Sequence, residues 1–138
     1  MRVRLPEKHD SLHSIRVLSA VEGRQRNGEI DIWTIPSRGG MASQVTSSYP
    51  IESSLSWSPD GTQIAFESFE SGNFDIWVIP ANGGTATQVT KDPASDWSPT
   101  WSPDGSAIAF ASTRRGGSDI WVMPIAGGPA VQLTFDPA

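Results

Sequence analysis

The chain has 138 residues, no cysteine and a formal net charge of −5 at pH 7. This length fits one ordinary domain with a core, and the lack of cysteine excludes disulfides, thiolate metal sites and a cysteine nucleophile. No apolar run approaches the roughly 20 residues that cross a bilayer, so membrane insertion is not expected.

The first 26 residues are basic, whereas the rest of the chain is acidic. They hold six of the ten Lys and Arg residues. An acidic remainder argues against a nucleic-acid partner, because phosphate binding needs clustered cations. The stretch also lacks the continuous apolar core of a secretory signal. Two alternatives follow: a cytoplasmic chain, or a chain whose signal has been lost.

His9 and His13 lie in this basic stretch, four residues apart. On a helix that spacing would let both bind one metal ion. No third ligand is evident, so we expect no metal site.

A 16-residue motif then occurs three times in the chain. DIWTIPSRGGMASQVT at 31–46 returns as DIWVIPANGGTATQVT at 75–90 and as DIWVMPIAGGPAVQLT at 119–134. The leading aspartates, Asp31, Asp75 and Asp119, are spaced by 44 residues. A fixed period in this range is typical of stacked supersecondary units.

The sequence of each unit predicts four short strands separated by residues that favour tight turns. SPDG at 58–61 and 102–105 places Pro and Asp-Gly where a tight reversal needs them, and the Gly-Gly pairs at 83–84 and 127–128 supply the next reversal. The predicted strands are Ser53–Trp57, Gln63–Ser68, Asp75–Pro80 and Ala86–Thr90, then Trp97–Trp101, Ala107–Ser112, Asp119–Pro124 and Ala130–Thr134.

The strands are apolar on both faces. Ile76 and Val78 alternate with Trp77 and Ile79. A sandwich strand with one wet face would instead alternate apolar and polar residues. Small antiparallel sheets buried on both faces favour blades stacked around an axis, which is the β-propeller arrangement. The repeat-equivalent tryptophans at 33, 57, 77, 101 and 121 are accordingly expected to pack.

The pattern WSPDG-x-x-IAF-x-S…DIW-V-x-P…GG…Q-[VL]-T resembles the WD40-like repeat of the TolB-type β-propeller family. Units 47–90 and 91–134 share 21 of 44 aligned residues. The resemblance implies an all-β chain of about three four-stranded blades, a six- or seven-bladed ring in the complete protein, and a role in binding rather than catalysis. It also implies a periplasmic or secreted location.

The domain organisation follows the repeat. Residues 1–27 form an irregular basic segment that contributes to blade 1, and 28–46 form the outer half of that blade. Blades 2 and 3 are 47–90 and 91–134, and 135–138 begin a link to a missing blade. Extending the period backwards places Ala20, Val21 and Glu22 at the IAF position, so the inner strands of blade 1 are expected to be degenerate or rebuilt from the basic segment.

Three blades leave two apolar end faces in water, and exposed patches of that kind usually mark an interaction site. Two copies of a three-bladed chain would close a six-bladed ring about a two-fold axis. We therefore expect a homodimer, or dependence on missing blades of a longer chain.

Catalytic motifs are scarce. The sequence has no G-x-S-x-G elbow, no H-E-x-x-H and no phosphate-binding glycine loop before a helix. Asp60 and Asp104 are expected to cap the backbone of their SPDG turns rather than to act as an acid/base pair. No catalytic residue and no cofactor are predicted.

The repeats differ in the loops that strand alternation places on the face opposite the SPDG turns. Function in a repeat scaffold usually lies in such loops, and Trp and Arg are common hot spots. We predict a site for a protein or peptide there, with loop drift as the alternative for any single residue. Its residues are Phe69, Glu70, Asp96, Trp97, Arg114 and Arg115.

The predicted function is a non-enzymatic scaffold that assembles with itself and binds a protein or ligand. The first alternative is an accessory propeller of a larger enzyme, such as a peptidase resembling the prolyl oligopeptidase family, whose catalytic residues would lie outside this chain. The second is a carbohydrate-binding or lyase-type propeller.

Overall fold

The computed structural model describes residues 2–3, 15–19, 31–36, 39–46 and 51–135. All regular elements in these ranges are strands, and they form three antiparallel four-stranded sheets with the strands of each sheet in chain order. Blade 1 contains β1 Arg2–Val3, β2 Ile15–Ser19, β3 Ile32–Pro36 and β4 Ser43–Gln44; blade 2 contains β5 Ile51–Trp57, β6 Gln63–Ser68, β7 Asp75–Pro80 and β8 Thr87–Gln88; blade 3 contains β9 Asp96–Trp101, β10 Ala107–Ser112, β11 Asp119–Pro124 and β12 Val131–Gln132.

Over the same ranges, no helix is long and apolar enough to span a membrane.

The two central strands of blades 2 and 3 have the bounds that the repeat predicts. The fourth strands are shorter than predicted, since β8 and β12 each hold two residues rather than five. In blade 2 the ladder ends because the N–H groups of Val89 and Thr90 both donate to the carbonyl of Ile76, at 2.7 and 3.3 Å. The chain leaves the sheet at that point.

Blade 1 departs from the constant period. Val17 pairs with Thr34, in the place where Ala65 pairs with Val78 in blade 2. The alignment that put Ala20–Glu22 at the IAF position is therefore wrong by four residues. The shift arises because the connection between the second and third strands is longer in blade 1. Ser19 and its partner Ile32 are 13 positions apart, whereas the equivalent pair Glu67 and Ile76 is nine apart. The second strand of blade 1 is built from the basic segment.

The core lies between the blades. We call the face of a blade that meets the preceding blade its leading face, and the face that meets the following blade its trailing face. Ile64, Phe66 and Ile79 on the leading face of blade 2 pack with Ile32 and Val45 of blade 1. The trailing face of blade 2 and the leading face of blade 3 form a second cluster that contains Ala65, Ile76, Val78, Trp101, Ile108, Phe110 and Trp121. Both faces of blade 2 are therefore buried, as the alternation predicts.

Candidate interaction surfaces

Three repeat-equivalent side chains lock the outer half of each blade together. In blade 2, the Gln88 amide donates to Asp75 Oδ2 at 3.0 Å and to the Thr90 carbonyl at 2.9 Å. The Thr90 hydroxyl accepts a bond from the Ile76 N–H at 2.9 Å and donates to Asp75 Oδ1 at 3.3 Å. The side-chain network thus ties the start of β7 to the residues that follow β8, where the backbone ladder has ended.

The contact between the glutamine amide and the aspartate recurs in the other blades. In blade 1, the Gln44 amide lies 3.0 Å from Asp31 Oδ2; in blade 3, the Gln132 amide lies 3.1 Å from Asp119 Oδ2. This network is not among the predicted features, although the constant spacing of the Asp, Gln and Thr residues in the three copies was a signal for it. These three acids therefore have a structural role.

The SPDG turns are held by their carboxylates, as predicted. Asp60 Oδ1 accepts bonds from the backbone N–H of Thr62 at 3.0 Å and from the hydroxyls of Ser58 and Thr62 at 2.8 Å each. These bonds, that of the Thr62 N–H foremost, lower the pKa of Asp60 to about 2. The equivalent bonds lower the pKa of Asp104 to about 2, with the Ser102 hydroxyl as the largest cause.

Two of the six predicted binding residues meet inside the fold. Arg114 Nη2 lies 2.9 Å from Asp96 Oδ2, and the Asp96 side chain is fully buried. The guanidinium carbon is 5.2 Å from the ring centre of Phe110 and 4.8 Å from that of Trp121. Arg114 is thus engaged by an acid and two aromatic rings between blades 2 and 3.

A second carboxylate lies near this ion pair. Burial raises the pKa of Asp75, and the charge of Asp96 raises it further, while bonds from Ser71, Thr90 and Gln88 act in the opposite direction. Arg114 is thus paired with Asp96, one of two neighbouring buried acids. Its neighbour Arg115 is exposed.

The other predicted residues have separate surroundings. Phe69 is 48% exposed, and its ring packs edge-on against Phe74 with the centroids 5.1 Å apart. Glu70 is exposed. Trp97 is half-buried and pairs with Ala111 across the inner strands. Since paired residues share a face of the sheet, Trp97 lies on the same face as Ala111.

A bulge shapes the start of the inner strand of blade 3. The β9–β10 register shifts between Ala109 and Ala111. Ser98 has a φ of 54°, a backbone conformation that residues other than glycine rarely adopt. The Ser98 N–H donates to Glu67 Oε2 of blade 2 at 2.7 Å. The Glu67 side chain of blade 2 therefore fixes the backbone of blade 3 at Ser98.

The trailing face of blade 3 differs from that of blade 2 in its exposure. Ile76 is fully buried by blade 3, whereas the equivalent Ile120 is 40% exposed. Val131 and Leu133 are 57% and 56% exposed. The trailing face of blade 3 is thus apolar and partly exposed, whereas the equivalent face of blade 2 packs against blade 3.

His9 and His13, considered as metal ligands, lie outside the described residues. Within the described ranges, no group of three or more His, Cys, Asp or Glu residues is placed to hold a metal ion.

The family model described as the TolB β-propeller domain matches residues 69–138, which is half of the chain. The chain belongs to the TolB β-propeller domain family. No curated protein matches it.

Solved structures show the same fold. The putative TolB from Agrobacterium tumefaciens matches with a TM-score of 0.77 and 27% identity, over 89% of this chain and 43% of that one. TolB from Acinetobacter baumannii matches with a TM-score of 0.76 and 24% identity, over 88% of this chain and 30% of that one. An acylaminoacyl peptidase matches with a TM-score of 0.65 and 16% identity, over 96% of this chain and 24% of that one. The chain thus spans less than half the length of these structures.

Proposed function

We propose that this TolB-type propeller chain is a non-enzymatic binding scaffold. It associates with a second copy through its exposed blade faces to close a ring. Its loops between β6 and β7 and between β10 and β11 bind a protein partner. By analogy with the family, its location is periplasmic or secreted.

The observation that carries the proposal is the contrast between two equivalent isoleucines. Ile76 is fully buried and Ile120 is 40% exposed, although both follow the aspartate of the same motif. The difference is the blade that covers Ile76. An apolar face built for a neighbouring blade gains about 25 cal/mol per Å² of apolar surface when it is covered, so association is favoured.

The polar groups favour binding over catalysis. The buried carboxylates of Asp75 and Asp96 are engaged by Gln88, Thr90 and Arg114. Exposed and non-repeating side chains lie instead on the loops between β6 and β7 and between β10 and β11, where Phe69, Glu70 and Arg115 are found. Such side chains on a rigid sheet scaffold suit recognition of a protein or peptide.

Sedimentation velocity of an Ile120→Asp variant tests the self-association. A carboxylate buried in an apolar interface costs several kcal/mol, so the dissociation constant of the pair should rise by about 100-fold or more. Asn82→Asp is the matched control, because it adds the same charge at an exposed turn and should leave the association unchanged. Equal association of both variants would contradict the proposal.

The second candidate function is an accessory propeller of a larger enzyme. The likeness to an acylaminoacyl peptidase over 96% of this chain supports the fold in that context. A G-x-S-x-G motif encoded downstream in the same reading frame would favour this candidate.

A further inference from the structure

The outer halves of blades 2 and 3 part from each other and leave an open groove between them. Its volume is about 580 Å³. One wall belongs to β7, β8 and the link that follows them in blade 2, and the other belongs to the end of β11 and the Gly-Gly turn of blade 3. The residues that decide its chemistry are Val78, Thr87, Val89 and Lys91 of blade 2 and Met123 and Ile125 of blade 3.

The equivalent joint between blades 1 and 2 is closed. Ile79 and Ala81, on the leading face of blade 2, are 0% and 4% exposed and belong to one cluster with Val45 of blade 1. Their equivalents on the leading face of blade 3 are Met123, which is half-buried, and Ile125, which is 38% exposed. Both walls of the groove belong to neighbouring blades of one chain, so the difference lies in the joint itself.

The Gly-Gly turns show the same difference. A Cβ placed on Gly83 of blade 2 would lie 3.9 Å from the carbonyl oxygen of Val45 in blade 1. A Cβ placed on Gly127 or Gly128 of blade 3 would meet no atom of the described residues within 4 Å. The turn of blade 2 therefore reaches the preceding blade, whereas the turn of blade 3 stands clear of it.

The groove combines apolar walls with a single cation. Lys91 is the one charged residue among the described residues that line it. Its side chain is exposed and makes no ion pair within the described ranges. The next residue, Asp92, is not part of the lining, and its Oδ1 accepts a bond from the Ala94 N–H at 2.9 Å. The groove thus complements an apolar group that has an anionic group beside it.

The lysine is specific to this joint. The residues at the equivalent repeat positions are Ser47 and Phe135. Lys91 is also one of only four Lys and Arg residues after position 26, in a part of the chain that holds twelve acids. An anionic group is therefore attracted to this point of an otherwise acidic surface.

The backbone beside the groove favours an extended peptide as its occupant. β8 is the outermost strand of blade 2 and pairs with β7 only, so its other edge is unpaired among the described residues. An added strand can form main-chain hydrogen bonds to such an edge and place its alternate side chains in pockets. Small-molecule sites enclose about 70–90% of their ligand, whereas Thr87, Lys91 and Gly128 in this lining are exposed.

We infer that the groove between blades 2 and 3 binds an extended segment of a partner protein. A bulky aliphatic side chain of the segment lies between the blades, and an acidic side chain two positions away, on the same side of the extended chain, pairs with Lys91. This surface is separate from the loops and from the end faces on which the proposed function rests.

Photolabelling with a defined peptide locates the contact. The probe is Ser-Ala-Leu-Ala-Glu-Ser with blocked ends and a photoreactive analogue in place of its leucine. Trypsin cleaves after Lys and Arg, so it releases fragments 39–91 and 116–138, which hold all the lining residues, and fragment 92–114, which holds none of them. We expect adducts within 78–91 and 123–128 and none in 92–114.

The affinity of the same peptide, measured by fluorescence anisotropy, tests the ion pair. Lys91→Gln should weaken binding about two- to fivefold, as expected for an exposed pair. Asn82→Asp is the matched control: it changes the net charge by the same amount, at an exposed turn on the side of blade 1, and should bind the peptide like the native chain. A peptide with Gln in place of Glu should lose the same factor on the native chain and nothing further on Lys91→Gln.

The other outcomes overturn the inference in distinguishable ways. Adducts confined to 92–114 or to the loop at Phe69 would move the peptide to the loops, which overturns the groove and supports the proposed loop site. Equal affinities of Lys91→Gln and Asn82→Asp would overturn the ion pair, and no measurable binding would overturn the inference as a whole. Sodium octanoate that displaces the peptide at an equal or lower concentration would show a site for a small amphiphile instead.

Discussion

Replacing Arg114 by methionine should destabilise the fold strongly, although the residue lies in a surface loop. The change keeps the apolar stem and removes the guanidinium, whose nitrogen lies 2.9 Å from the fully buried Asp96 carboxylate. Removing one partner of a buried ion pair typically costs about 3–5 kcal/mol, because the remaining charge is left uncompensated. The neighbouring acid Asp75 adds to that cost, since its pKa is raised by its own burial and then by the charge of Asp96.

Urea unfolding followed by tryptophan fluorescence measures this loss, with all variants at one chain concentration because association shifts apparent stability. Arg115→Met is the matched control: that side chain is exposed, so its free energy of unfolding should change by less than about 0.5 kcal/mol. The double variant Asp96→Asn with Arg114→Met should recover part of the loss, because no buried charge is left unpaired. Equal effects of Arg114→Met and Arg115→Met would refute the assignment of Arg114 to the core.

Two further results are expected. Acid should remove a contribution of the SPDG turns: the pKa of Asp60 and of Asp104 is about 2 in the fold against an ordinary 3.8, so their stabilisation is complete above pH 4 and lost between pH 4 and 2. The gap in urea midpoint between the native chain and an Asp60→Asn, Asp104→Asn variant should close over that interval. Thr90→Val should cost about 1–3 kcal/mol in the same unfolding assay, because it leaves the buried Ile76 N–H without its acceptor; an unchanged midpoint would contradict the network.

The repeat period predicts much of the fold. The strands β6, β7, β10 and β11 have the bounds read from the sequence, because apolar alternation and turn residues agree in both full copies. The period fails in blade 1, where four extra residues in one connection move Arg16–Leu18 into the position expected for Ala20–Glu22. A connection length has no periodic signal, so only strand pairing shows it.

The candidate site was less predictable than the fold. Phe69 and Arg115 lie exposed on loops in which the repeats differ. Arg114 is not distinguishable from Arg115 by composition or pattern, since what separates them is a contact with Asp96, 18 positions away on another element.

The molar mass of the unmodified chain, measured by light scattering across a dilution series, shows whether two copies associate. We expect a particle of twice the mass of one chain, which dissociates on dilution without larger species. A chain that keeps the mass of a monomer at every concentration, or that forms a polydisperse aggregate, would contradict the claim that the end faces of these three blades close on a second copy.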